Sequence, residues 1–409
     1  MSPTAPPGGT GGFVPPPYPY DRLAAAAGRA ARHDGGAVDL SVGTPCDPPP
    51  EAVVRALGAS GSERGYPASA GSAPLRRSVA DWIERRFGTR IDPDQVAACV
   101  GTKEFVASAA WFLSLRTPER DTVLAPAVAY PTYAMGAALA RCRVVGVPER
   151  PGGGLDLDAV AEADAGRALC LWVNSPANPT GSVSDLASAA AWGRARGVPV
   201  LSDECYAEFT WDGAPASVVQ SGTEGVLALH SLSKRSNLAG VRVGAYAGDA
   251  ELVAYLAEVR KHAGLMVPGP AQAAATVAWD DDAHVELQRG RYRARLGRLA
   301  EILRAAGLDA HPPAGAFYLW VPVPAWAAER GRAEGREGAW VLTEALAEAA
   351  GAVVSPGEFY GPSAADHVRV AAVQPDERIE LVARRLAASD HPHLGAPGAA
   401  VSGARGAAR

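Results

Sequence analysis

Paired cysteines, long apolar runs and blocks of one charge are all missing from this chain of 409 residues, and each absence excludes a class of protein. The five cysteines (Cys46, Cys99, Cys142, Cys170 and Cys205) are scattered and form no C-x-x-C pair. That argues against a metal site or a disulfide framework and for a reducing, cytoplasmic setting. No apolar stretch reaches the roughly 18 residues needed to cross a bilayer. The opening MSPTAPPGGTGGFVPPPYPY lacks the basic and apolar regions of a signal peptide. A net charge of −5, from 39 basic and 44 acidic residues without a run of either sign, offers no footprint for nucleic acid or a membrane surface. What is present is an ordinary globular composition, 48% hydrophobic and 20% charged, in a chain long enough for two or more domains.

The ends are expected to lack structure: a Pro/Gly-rich arm over residues 1–17 and a flexible tail over 389–409. Between them, short apolar runs alternate with longer amphipathic stretches. Strands are expected at 95–101, 121–126, 142–147, 168–174, 198–204 and 225–233, with helices at 103–115 and near 131–141. Runs such as ALCLWVN, apolar throughout, read as strands buried on both faces, which predicts an α/β fold with a mostly parallel central sheet. From about residue 250 the pattern turns to a long helical stretch, then helices with short strands at 316–323 and 367–373. The expected division is a large domain over 49–275 and a smaller α+β domain over 276–388, with 18–48 folding back onto the latter.

In such sheets ligands gather at the carboxyl ends of the strands. Here each strand ends in reactive or polar residues: Gly101-Thr102-Lys103 opening a helix, Asn174 and Asn178 in NSPANPTG, Asp203 and Tyr206, then Ser231, Ser233 and Lys234. A helix start exposing N–H groups is an anion site. A desolvated lysine becomes nucleophilic and adds to carbonyls. A lysine for an aldehyde, a carboxylate for a ring nitrogen and a cradle for a phosphate are the requirements of pyridoxal 5'-phosphate.

The segments SLSKRSNLAGVRVG, NSPANPTG and SDECY, in that family's order and with AYPTY and HVRVA nearby, resemble class I/II aminotransferases of the fold-type-I pyridoxal-phosphate superfamily. The resemblance runs from about residue 35 to 388. DLSVGTP, YPASAGSAPLR, VGTKE and RKHAG look most like actinobacterial N-succinyldiaminopimelate aminotransferases. The resemblance implies that Lys234 attaches the cofactor and then moves the substrate proton, with Asp203 paired to the pyridine nitrogen. Tyr206 and Asn178 would bond the ring's phenolic oxygen, and Tyr130 would stack on the ring, leaving Tyr133 structural. Thr102, Lys103, Ser231 and Arg242 would hold the phosphate, with Gly101 allowing close approach. Tyr66 would reach it from the second subunit of a homodimer with shared sites. Arg369 would clamp the substrate α-carboxylate, closed over by the backbone of Gly43.

The implied reaction is transamination with glutamate and 2-oxoglutarate as the amino couple, the other substrate being N-succinyl-LL-diaminopimelate. Lys103, Glu104, Arg235, Arg260, Lys261 and His262 are candidates for its distal groups. GYPASAG and KHAGLMVPGP depart from the subgroup. The alternative is an enzyme of specialised metabolism acting on another amino acid, for example a basic one, by transamination, oxidation, elimination or cyclisation.

Overall fold

The computed structural model describes residues 12–395; the outer parts of the expected arm and tail, 1–11 and 396–409, lie outside the described residues. Twelve strands are present among them. In chain order they are β1 (Val38–Asp39), β2 (Val96–Cys99), β3 (Thr122–Pro126), β4 (Arg143–Val147), β5 (Ala168–Asn174), β6 (Val200–Asp203), β7 (Val226–Ser231), β8 (Gly244–Gly248), β9 (Tyr318–Pro322), β10 (Ala352–Val353), β11 (Ser355–Pro356) and β12 (His367–Ala371).

Seven of them build one sheet in the order β2-β8-β7-β6-β5-β3-β4. The pairs β3–β4, β3–β5, β5–β6 and β6–β7 are parallel; β8 alone runs antiparallel, to both β2 and β7. The mostly parallel α/β sheet expected from the sequence is therefore present. Its strands read as apolar throughout because both faces are covered. Along β5, Leu171 and Val173 point into a core shared with Trp82, Ile83 and Trp279, while Cys170 and Trp172 point into one shared with Phe105, Leu113 and Tyr246.

Strand β8 is absent from the sequence reading for a physical reason. Its residues GAYAG are mostly small, and glycine normally weakens a strand. Here the smallness is required. A Cβ on Gly244 would come within 2.8 Å of the His230 carbonyl of β7 and 3.1 Å of Thr102, and one on Gly248 would strike the Val226 carbonyl.

A second, antiparallel sheet, β11-β12-β9, packs with the helices Ala283–Ala305, Gly338–Ala350 and Asp376–Ala387 around a separate core. The N-terminal segment reaches that body: β1 pairs in parallel with β10, and Asp47 forms an ion pair with Arg295 at 2.5 Å. Near the other end, Leu394 is buried and His393 stacks on Trp326 at 4.8 Å, so residues up to 395 dock on the protein surface.

Register sets the site. Asn174 is level with Asp203, Asp203 with Leu229, and Ser231 with Gly244. The polar ends of β5, β6 and β7 thus emerge at one edge.

Candidate active site

A cavity of about 380 Å³ opens at that edge. Its floor is Lys234, carried by the short helix Leu232–Arg235 that Ser231 caps by accepting from the Ser233 N–H at 3.1 Å. The Lys234 amine donates to the Gly43 carbonyl. Burial of the amine lowers its pKa from 10.5 to about 8, with Arg369 and Arg242 pushing in the same direction and Asp203 and Cys205 against it. Near neutrality an appreciable fraction is free base, the form that adds to an aldehyde.

Asp203, at the end of β6, is buried and has no ion-pair partner among the described residues. Its Oδ2 accepts from Tyr133 Oη at 2.9 Å and its Oδ1 from the Cys205 N–H at 3.2 Å. Burial raises its pKa despite these donors. Such a carboxylate is one cation short, and a protonated pyridine nitrogen would complete it.

The helix Thr102–Arg116 begins at this edge with no side-chain cap, leaving its first turn open toward the cavity that Thr102 and Lys103 line. Arg242 lines the cavity with its backbone in the left-handed region at φ 59°, and no carboxylate of the described residues pairs with it. Gly101 sits at φ 74°, a backbone conformation that favours glycine, and a Cβ there would also displace the Arg242 guanidinium. An uncapped helix start, an unpaired arginine and Ser231 within one cavity fit a phosphate.

Arg369, on β12, is 2% exposed. Its guanidinium donates to Asn178 Oδ1 at 2.7 Å, to Tyr20 Oη at 3.2 Å and to the Ser41 carbonyl, and lies 4.1 Å over the Tyr318 ring. Asn178 is held in turn by the Asn174 side chain, which accepts its backbone N–H at 2.7 Å. Tyr206 Oη lies 2.7 Å from Tyr318 Oη. A Cβ on Gly43 would run into Tyr318.

Of the residues singled out in the sequence, Tyr130, Ser233 and Asn174 also line this cavity. Tyr66 does not; it is 99% exposed and faces a separate surface hollow with Ser62, Pro67 and Gln272. The distal-site candidates divide. Lys103 lines the cavity, its amine 5.0 Å above the Tyr18 ring. Glu104 and Arg260 are spent on each other at 2.6 and 2.7 Å, Arg235 is bound to Glu208 and Asp282, and Lys261 and His262 sit on the surface beside Glu258. Tyr18, Tyr20, Cys205 and Tyr318 are among the lining residues that were not marked in the sequence. Cys205 stands between two marked residues, and only its neighbours could have signalled it.

The family model for aminotransferase class I and II matches residues 36–386, most of the chain. The chain belongs to that family. The aminotransferase is 43% identical over 380 residues to the probable aminotransferase Rv1178 of Mycobacterium tuberculosis, spanning 91% of this chain and 85% of that protein. It is 41% identical over 380 residues to 4-dedimethylamino-4-oxo-anhydrotetracycline transaminase OxyQ of Streptomyces rimosus, spanning 91% and 99%. Among solved structures, the N-succinyldiaminopimelate aminotransferase of M. tuberculosis superposes with a TM-score of 0.78 at 29% identity, over 92% of this chain and all of that one. The aminotransferase is accordingly a pyridoxal-phosphate enzyme of fold type I.

Tyr133, expected to be structural, is buried beside Asp203. It is the side-chain donor to the Asp203 carboxylate. A hydrogen bond to a charged group contributes about 1.5–3 kcal/mol. Tyr133→Phe is expected to raise the Asp203 pKa further and lower kcat/KM about tenfold, with the acid limb of the pH profile moving up. Steady-state rates between acid and neutral pH check this.

Proposed function

We propose that the chain transfers amino groups with glutamate and 2-oxoglutarate as its amino couple, in the cytoplasm, as a homodimer to which Tyr66 of each copy contributes. The carrying observation is that Lys103 lines the same cavity as Arg369, beside Lys234 and Arg242, and has no carboxylate partner among the described residues. Glutamate has two carboxylates: Arg369 would take the α-carboxylate in its planar fork and Lys103 the distal one. Bound pyridoxal phosphate supplies an aldehyde for the amine and a protonated ring that takes up the electrons of the Cα–H bond. On this reading the chain's own residues divide the work. Asp203 holds the ring proton, Lys234 carries the substrate proton, Tyr206 and Asn178 bond the ring oxygen, Tyr130 covers the ring face, and Arg369 orients the Cα–H bond.

For the second substrate, N-succinyl-LL-diaminopimelate is supported by the likeness to the M. tuberculosis enzyme of that name. A different amino acid or ketone is favoured by the walls. Apart from Lys103, none of the expected distal cations lines the cavity, whereas Tyr18, Tyr20 and Tyr318 do. The 41% identity to a transaminase named for a polycyclic ketone supports the same reading.

A half-reaction scan separates these. Glutamate, N-succinyl-LL-diaminopimelate, ornithine, arginine and an aromatic amino acid are added singly to the holoenzyme, and the visible absorption band is followed. Bleaching by glutamate is expected, and its failure would overturn the amino couple. Lys103→Met is expected to raise the glutamate KM about tenfold, the worth of one charge-assisted hydrogen bond, and to alter the aromatic donor's KM less than about twofold. Loss of cofactor retention with an unchanged glutamate KM would instead assign Lys103 to the phosphate cup.

A further inference from the structure

Immediately after Lys234 the chain buries an arginine whose side chain points away from the cavity. Arg235 is 2% exposed and its guanidinium is bonded on every nitrogen. Nε donates to Glu208 Oε1 at 3.0 Å, Nη2 to Asp282 Oδ1 at 2.8 Å, and Nη1 to the Ala278 carbonyl at 2.5 Å. Trp82 and Trp279 lie against it, their ring centres 5.5 and 5.0 Å from Cζ. Glu208 is as fully engaged, since it also accepts from Trp82 Nε1 at 3.0 Å and pairs with Arg86 at 2.7 Å.

The place of this pair in the chain gives it meaning. Glu208 lies in the one-turn helix Ala207–Phe209 directly after Tyr206, and Arg235 ends the helix that carries Lys234. We propose that the Arg235–Glu208 pair is a positioning device that fixes the Lys234 amine relative to the Tyr206 phenol; this rests on the reading of Lys234 as the cofactor lysine. The two loops leave the adjacent strands β6 and β7, whose ladder ends with the Glu204 N–H donating to the Leu229 carbonyl at 2.9 Å, and beyond it a desolvated guanidinium fork is a directional tie between them. Removing a partner of a buried ion pair leaves the other charge uncompensated, so the loops would move to rehydrate it.

Arg235 does not itself face the amine. The charged and titratable groups that do are Arg369, Arg242, Asp203 and Cys205. A change in the amine's environment on altering Arg235 would therefore report displacement, not a lost charge. The test compares Arg235→Met, Arg235→Lys and Glu208→Gln holoenzymes with the parent. Expected are a shift of at least about half a pH unit in the midpoint of the visible band's titration and a fall in kcat of about tenfold, with the glutamate KM altered less than about twofold. Arg235→Lys should not restore the parent values, because a single ammonium cannot span Glu208, Asp282 and the Ala278 carbonyl. If Arg235→Met does not fold, Glu208→Gln, which keeps an acceptor for Arg235 and Trp82, carries the same expectation at smaller amplitude. Variants that lower only the thermal midpoint, with parental titration and kcat, would overturn the proposal. Lys234→Ala distinguishes the failures: retention of the band there would sink the reading of Lys234, whereas its loss together with unshifted Arg235 variants would sink only the positioning device.

Discussion

Lys234→Ala is expected to abolish the visible absorption band of the holoenzyme and lower turnover on the order of 10⁴-fold, the upper range for loss of a single acid–base group. The magnitude follows from two duties resting on one amine. On the proposed reading it adds to an aldehyde as free base, then takes and returns a proton beside the substrate carbon. Burial is what makes both workable near neutrality, since it brings the pKa down from 10.5 to about 8. The sign of the pH effect follows. Below pH 8 the folded chain holds mainly the ammonium form, which cannot add to the aldehyde. Reconstitution of cofactor-free protein should therefore accelerate on the order of tenfold between pH 6.5 and 8.5 and then level off. Stopped-flow absorbance at several pH values measures it. A rate still climbing steeply above pH 9 would mean the amine is more hydrated than its setting implies.

The second large effect is expected at Arg369. Truncating a buried, hydrogen-bonded charge costs about 2–5 kcal/mol, so Arg369→Ala should lower kcat/KM for glutamate on the order of 10²–10³-fold. Both constants should move, because in the proposed role the same fork binds the carboxylate and aims the Cα–H bond. Arg369→Lys is expected to recover little, since an ammonium offers no planar pair of donors and could not serve Asn178 Oδ1 and a carboxylate together. The control is an amine without an α-carboxylate: its slow reaction should be nearly indifferent to the substitution. Equal losses for both donors would show that Arg369 supports the fold of the site and does not recognise substrate.

That these residues gather at one place was legible in the sequence because strand ends are punctuated. Asp203, Asn178 and Lys234 each follow an apolar run and precede turn residues, and the sheet's register carries them to one edge. Harder to read was anything settled by partners remote in the chain. Arg260 looked like a free cation, yet Glu104, 156 residues away, neutralises it. Arg235 looked like a pocket residue until Glu208 and Asp282 claimed it. Tyr20 and Tyr318 were invisible for the complementary reason: they become part of the site only once the N-terminal segment and the second sheet close around Arg369. Tyr66 differs again, because no feature of its own chain's cavity explains it.

The lone reversed strand, β8, has a consequence for how this chemistry could be inherited or transplanted. Because β7 runs out at the edge and β8 runs back from it, the connection 232–243 leaves and re-enters on the same side, with Lys234 near one end and Arg242 near the other. Lys234 and Arg242, eight positions apart, both lie on that twelve-residue crest, which is held by two ladders that cannot slide without inverting every side chain. Insertions elsewhere along the edge would reshape the cavity; an insertion here would part Lys234 from Arg242. Anyone grafting the site onto another scaffold would have to carry β7, the crest and β8 as a single cassette.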